Sequence, residues 1–339
     1  MTFAASVLIF VAAAVVCFGL LLALMPLLAR YALAKPNARS SHKVPTPQGG
    51  GIAVVAAVIV VVAVAAVFCG ARLDHPLNLA VVIAAAAGLA AVGAIDDLRP
   101  MQALPRLLLQ TVASIAVVAT LPPEIQIAPA MPWWFDRTVM VVGCVWILNV
   151  VNFMDGIDWM TVAEIVPVTA GLAVFGLIDA LPLSATIMAV ALCGAIVGFA
   201  PLNRPIARLF LGDVGSLPIG LLLGWMLILL AARGHLAAAI LLPLYYLADA
   251  TTTLLLRLAK GEQITQAHRS HFYQKALDGG FGVYQIVNRV FLLNIVLAVL
   301  AFLSIAERSL KMQIASLVAG IVLVALQLWH FKRGRRPAA

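Results

Sequence analysis

The chain has 339 residues, 64% of them hydrophobic and 11% charged. A typical soluble domain carries about 25% charged residues, so an ordinary soluble globular fold is excluded. The net charge of +8 is spread over short loops and a C-terminal tail, which excludes the concentrated basic face of a nucleic-acid binder.

A bilayer span needs about 20 mostly apolar residues. Eleven such segments are predicted in chain order: 3–29, 51–69, 77–95, 105–121, 138–152, 161–179, 183–200, 215–232, 236–257, 284–305 and 312–331. The run from Thr2 to Leu33 lacks a basic leading region and is too long for a cleaved signal, so it reads as a retained first helix. The fifth segment is short and poorly bounded; without it the count is ten. Pro122-Pro123, Pro182 and Gly279-Gly280 punctuate the joins. Cys17, Cys69, Cys144 and Cys193 lie in or beside apolar runs with no metal-ligand or disulfide spacing, and read as small buried side chains. With neither an internal repeat nor a soluble insert, residues 1–339 are predicted to form one all-α polytopic integral membrane domain.

Orientation follows from basic residues. One set of loops, with the tail, carries sixteen Lys and Arg, among them Arg39, Lys43, Arg106, Arg208 and Arg269; the other set carries five, Arg72, Arg137, Arg233, Arg308 and Lys311. The first set is therefore predicted to be cytoplasmic, the N-terminus periplasmic and the C-terminus cytoplasmic.

The cytoplasmic segments, 30–50, 96–106, 152–160, 201–215 and 258–283, hold nearly all the chemistry-bearing side chains. Asp96 and Asp97 end the third span, where two adjacent carboxylates repel unless one is neutral, meets a cation or points away. Asp213 stands between Gly212 and Gly215 at the start of the eighth span; it suits either a helix cap or a magnesium ligand beside a phosphate. Asn152, Asp155 and Asp158 place amide and carboxylate groups on one turn, as a nucleotide edge would need, although an Asx turn needs only one of them. His268, Arg269 and His271 offer donors to a diphosphate, or serve only as topogenic residues. Asp249 is a carboxylate inside the ninth span, a functional suspect with Thr251 to Thr253 as alternative partners.

These motifs resemble the polyprenyl-phosphate N-acetylhexosamine-1-phosphate transferases, the group that includes the phospho-N-acetylmuramoyl-pentapeptide transferases. The likeness rests on Asn152-Phe-Met-Asp155-Gly-Ile-Asp158, on Phe210-Leu-Gly-Asp213-Val-Gly-Ser216, and on Ser41-His42-Lys43 leading to the Gly49–Gly51 run. The resemblance implies transfer of a sugar-1-phosphate from a UDP-N-acetylhexosamine, 6-deoxy sugars included, to undecaprenyl phosphate at a bacterial inner membrane, with release of UMP. It implies Mg²⁺ held by Asp213 and Asp97, catalytic roles for Asp96, Asp97, Asp213 and His271, and donor contacts from Lys43, Asn152, Asp155, Asp158, Asn203, Phe210, His268 and Arg269. It also points to the branch that starts O-antigen or capsule glycans; a homodimer stays open. Two departures stand out: Trp159 replaces a glycine that usually follows Asp158, and the usual His-x-His-His run is here His271-Phe-Tyr-Gln. Two other readings of the residues, a multipass transporter and a CDP-alcohol-type phosphotransferase, fit less well. The first wants acids near mid-membrane, and the second an Asp-rich run on adjoining helices that does not occur here.

Overall fold

A computed structural model describes residues 1–34, 44–69, 73, 75–263, 266, 268–307 and 309–334. The predicted substrate residue Lys43, with Ser41 and His42, lies outside the described residues, as does the side chain of Cys69. Of the described residues, 78% are helical. In chain order its elements are α1 (Phe3–Tyr31), β1 (Leu33–Ala34), β2 (Thr46–Pro47), α2 (Gly51–Cys69), α3 (Pro76–Leu98), α4 (Ala103–Ala119), α5 (Trp133–Met154), α6 (Met160–Leu177), α7 (Leu183–Asn203), α8 (Asp213–Ala232), α9 (Leu236–Leu241), α10 (Leu244–Ala259), α11 (Phe272–Asp278), α12 (Val283–Ala306) and α13 (Leu310–Arg333).

Among the described residues nine helices are long and apolar enough to cross a bilayer. The multi-pass membrane architecture read from the sequence is therefore correct, with three adjustments to its segments. The fifth segment is not short: α5 runs 22 residues. The fourth, α4, has 17 residues, at the lower end of the spanning range. The ninth is not one helix but two, because Pro243 lacks an N–H and the chain restarts at Leu244. Lipid offers no partner to backbone amides freed by such a break. Glu164 of α6, itself buried, accepts from the Tyr246 backbone N–H at the new helix start and from Asn294 of α12.

The centre of the bundle is α8, wholly buried, with α7 nearly so; α1 and α13 face outward. Cys17, Cys144 and Cys193 are buried and unpaired. Helices in lipid approach closely where small residues meet, and two such contacts set the position of the acidic residues. Gly51 opens α2 directly against Gly215, and Gly93 of α3 faces the backbone of Asp213. A Cβ at Gly93 has no room, since the atoms it meets are main chain. Gly93→Ala is accordingly expected to push α3 from α8 at a cost of about 1–3 kcal/mol, the usual toll of overpacking. A lowered melting temperature in detergent, with weakened activity, checks this.

The two short strands pair antiparallel, Leu33 with Pro47 and Ala34 with Thr46, and close the neck of the first loop. Gln48 then bridges to Phe210, so this loop is tied to the segment preceding α8. Hydropathy alone does not predict that junction.

Candidate active site

The ends of α3, α5 and α8, the β2 segment and the loop after α7 enclose a cavity of about 660 Å³. Seven of the predicted site residues line it: Asp97, Asn152, Asp155, Asp158, Asn203, Phe210 and Asp213. Asp96 stands apart from this lining, buried at the end of α3.

The acidic pair at the end of α3 is split in function by the helix itself, since adjacent residues point in different directions. Asp97 accepts from the backbone N–H groups of Asp213 (2.9 Å) and Val214 (3.1 Å) and from the Gln48 side chain (2.8 Å). It therefore caps α8 from another helix, where the amides and dipole favour a carboxylate. Gly212, at φ +77°, is the turn that makes this approach, and a Cβ there would strike the Asp97 carboxylate. The next amides, Gly215 and Ser216, donate to the Gly212 carbonyl, so the start of α8 is satisfied by protein. Asp213 is thereby released from capping itself.

Asp96 accepts from the Met101 backbone (2.6 Å) and from Arg106 (2.7 Å). The same guanidinium nitrogen reaches Asp213 at 3.2 Å, and the Asp96 and Asp213 carboxyl groups lie within hydrogen-bonding reach of each other. Asn152 donates to the other Asp213 oxygen (2.8 Å) and to Ser216 (2.9 Å). Arg106 and Gln48 thus belong to the site although sequence reasoning missed them. Arg106 was counted only as a topogenic charge; its position in the first turn of α4, ten residues after Asp96, was the available signal.

Asp155 closes α5 and accepts from the Thr161 hydroxyl. Burial raises its pKa to about 6, with the nearby Asp97 and Asp158 carboxylates adding to the effect. Asp158 accepts the Ala207 N–H (2.9 Å), while Asn203 accepts from the Trp159 N–H (2.9 Å) and donates to the Leu209 carbonyl (2.9 Å). These two side chains shape the 203–210 loop as well as facing the cavity. Trp159 occupies the left-handed region at φ +61°, which explains why a glycine suits this position. Its indole N–H donates to Ala200 (2.7 Å) and its ring meets Tyr284 edge-on at 6.0 Å, contacts that a glycine lacks.

The His loop is placed differently from the expectation. Residues 268, 269 and 271 do not line the cavity. Arg269 pairs with Asp278 (2.9 Å). Burial lowers the His268 pKa to about 4, helped by His271 and Arg257, so the ring is neutral at ordinary pH rather than a cationic diphosphate donor. His271 is buried against Asp249 (3.2 Å). The loop reaches the site from beneath: the Tyr273 hydroxyl donates to the Phe153 carbonyl and packs on Gly156, under the turn that carries Asp155.

Among the described residues, four carboxylates and no Lys, Arg or His line the cavity. Nor do three or more His, Cys, Asp or Glu side chains gather there into a set that holds a metal alone.

Fold and site together define a multi-pass membrane protein with an acidic, amide-bearing cavity assembled from the ends of its helices. The sequence profile of glycosyl transferase family 4 matches residues 79–231, which contain Asp96, Asp97, Arg106, Asn152, Asp155 and Asp213. It is 30% identical over 214 residues to a decaprenyl-phosphate N-acetylglucosaminephosphotransferase of Mycobacterium leprae (strain TN), covering 57% of this chain and 52% of that protein. A probable undecaprenyl-phosphate N-acetylglucosaminyl 1-phosphate transferase of Bacillus subtilis (strain 168) is 23% identical over 321 residues, 88% of this chain and 83% of its own. A phospho-N-acetylmuramoyl-pentapeptide-transferase of Psychrobacter sp. (strain PRwf-1) is 29% identical over 178 residues, 47% of this chain and 46% of its own. The chain thus spans about half the length of the mycobacterial and Psychrobacter relatives it matches.

Proposed function

We propose that the protein is a polyprenyl-phosphate sugar-1-phosphate transferase of a bacterial inner membrane. It moves an N-acetylhexosamine-1-phosphate from a UDP-sugar to undecaprenyl phosphate on the cytoplasmic side and releases UMP. The observation that carries this reading is the convergence of Asp97, Asn152, Asp155 and Asp213 from the ends of α3, α5 and α8 on one cavity, with Asp96 joined to Asp213 through Arg106, in a chain whose residues 79–231 match the glycosyl transferase family 4 profile.

The donor set suits a hard dication. Carboxylate and amide oxygens are offered, among the described residues no three acidic side chains gather into an all-protein cage, and Mg²⁺ takes one or two carboxylates with phosphate oxygens and water completing its shell. Asp213 and Asp97 are the residues that would hold it, Asp213 foremost because Asp97 is already engaged in capping. The ion's chemistry there is neutralisation of phosphoryl charge.

The remaining work falls to side chains. Arg106 attracts the acceptor phosphate to the acidic centre and keeps Asp96 and Asp213 in register. Asp96 accepts a proton from the lipid phosphate if it arrives protonated, and an oxygen of that phosphate attacks the sugar-bearing phosphorus as UMP departs. Asn152 fixes the Asp213 carboxylate, Asp155 accepts from donor hydroxyl or base N–H groups, and Phe210 offers a ring face to the uracil. Initiation of a surface glycan such as O-antigen is the role that fits this product.

A transporter would find support in the break between α9 and α10 and in buried Asp249. That carboxylate, however, already accepts from five donors of the chain itself. The test is release of UMP by purified protein given undecaprenyl phosphate and a panel of UDP-sugars, with and without Mg²⁺. Dependence on one sugar and on the lipid supports the reading; absence of UMP with every sugar overturns it.

Asp155 adds a pH signature. Its raised pKa leaves it ionised above about 6 and neutral below. At saturating acceptor, the donor KM is expected to rise about tenfold per unit as pH falls below 6, following the shrinking ionised fraction. Asp155→Asn is expected to flatten that limb and to raise KM at pH 7.5. An unchanged limb in the variant would remove Asp155 from donor binding.

A further inference from the structure

Asp249 lies inside α10 and is fully buried. Its Oδ1 receives the His271 ring Nδ1 (3.2 Å), the Phe272 N–H (3.0 Å) and the Thr253 hydroxyl (3.3 Å), and its Oδ2 receives the Tyr273 N–H (3.2 Å) and the Tyr245 hydroxyl (3.4 Å). A carboxylate only accepts, so the ring nitrogen facing it must carry the hydrogen. The two backbone bonds hold residues 272 and 273 to the same carboxylate, so ring and main chain are located together. His271 is further confined by Tyr273, stacked at 5.7 Å, and by the His268 ring at 4.9 Å.

We infer that Asp249 is a positioning residue that acts through His271 and α11: it keeps the His271 ring proton on Nδ1 and, through Tyr273, fixes the 153–156 turn that carries Asp155. The geometric chain is short, from Asp249 to His271 and α11, then through Tyr273 to Phe153 and Gly156 beside Asp155. The hydrogen bond that one imidazole nitrogen makes to a carboxylate sets the tautomer and orientation of the whole ring. This inference leans on the transfer reading only for its kinetic arm.

The first arm needs no activity. Imidazole ¹⁵N shifts of His-labelled full-length protein, with the His271 signals identified by their loss in His271→Gln, are expected to show hydrogen on Nδ1. Hydrogen on Nε2 alone would overturn the proposal even if the protein proves not to be a transferase. The second arm is a double-mutant cycle for UMP release. Asp249→Asn puts a donor where one oxygen accepted and removes the charge behind the ring. It is expected to lower kcat by about 10- to 100-fold, the usual cost of losing such a partner, with donor KM within about twofold. His271→Gln should fall similarly, and the pair together should be no worse than the worse single variant, because one acts through the other. Multiplying losses, or a wild-type kcat in Asp249→Asn, would assign Asp249 to helix packing alone.

Discussion

Asp213→Asn is expected to lower transfer by about two to three orders of magnitude in a protein that still inserts and elutes as the wild type does. That magnitude is typical of removing one preorganised electrostatic contact from a site where charge is handled. The structure explains why folding should survive. Asp213 does not cap its own helix; Asp97 does, through the Asp213 and Val214 amides. An amide keeps the shape of the side chain, and one of its two atoms still accepts from Asn152 or Arg106. What is lost is the negative charge that a dication requires, so the Mg²⁺ concentration for half-maximal rate should rise. Turnover near wild type at ordinary Mg²⁺ would make Asp213 a residue of the helix start only.

The contrast between Asp97 and Asp213 shows where sequence reading stops. Apolar length and the clustering of acids on one side were legible, because lipid imposes them on every segment. Asn152, Asp155 and Asp213 could be grouped since each follows or opens an apolar run. What each carboxylate does was not legible. Asp97, Asp136, Asp158 and Asp249 all accept backbone N–H groups, from residues between eight and 117 positions away. Asp96, which also accepts the nearby Met101 amide, and Asp213 share a guanidinium. Locally these two kinds of Asp look alike, since the partner that separates them arrives by tertiary packing. The break at Pro243 escaped for a related reason: its flanks are apolar, and a window averages over one residue. His268, Arg269 and His271 misled because proximity in sequence suggested one shared duty. The fold gives each a separate partner, in Ser270, Asp278 and Asp249.

The guanidinium between Asp96 and Asp213 leads to the other large effect. Arg106 is only partly exposed, at 23% for its side chain, and one nitrogen serves both carboxylates. Charge-assisted contacts of this kind are worth about 1.5–3 kcal/mol each when lost. Arg106→Gln is therefore expected to lower kcat/KM for the lipid acceptor by about 10- to 100-fold, since the acceptor phosphate then meets an acidic centre without its cation. The metal dependence should move opposite to that of Asp213→Asn. Removing a positive charge beside Asp213 deepens the negative potential there, so half-saturation should come at lower Mg²⁺, by a few-fold at an effective dielectric of about 20. Arg106→Lys keeps the charge but loses the planar fork, and should recover the Mg²⁺ profile better than the rate. The decisive measurement is a Mg²⁺ titration of all three variants at saturating donor. If Arg106→Gln and Asp213→Asn shift half-saturation in the same direction, Arg106 is not an electrostatic neighbour of the metal position, and its contact with Asp213 serves only to join α4 to α8.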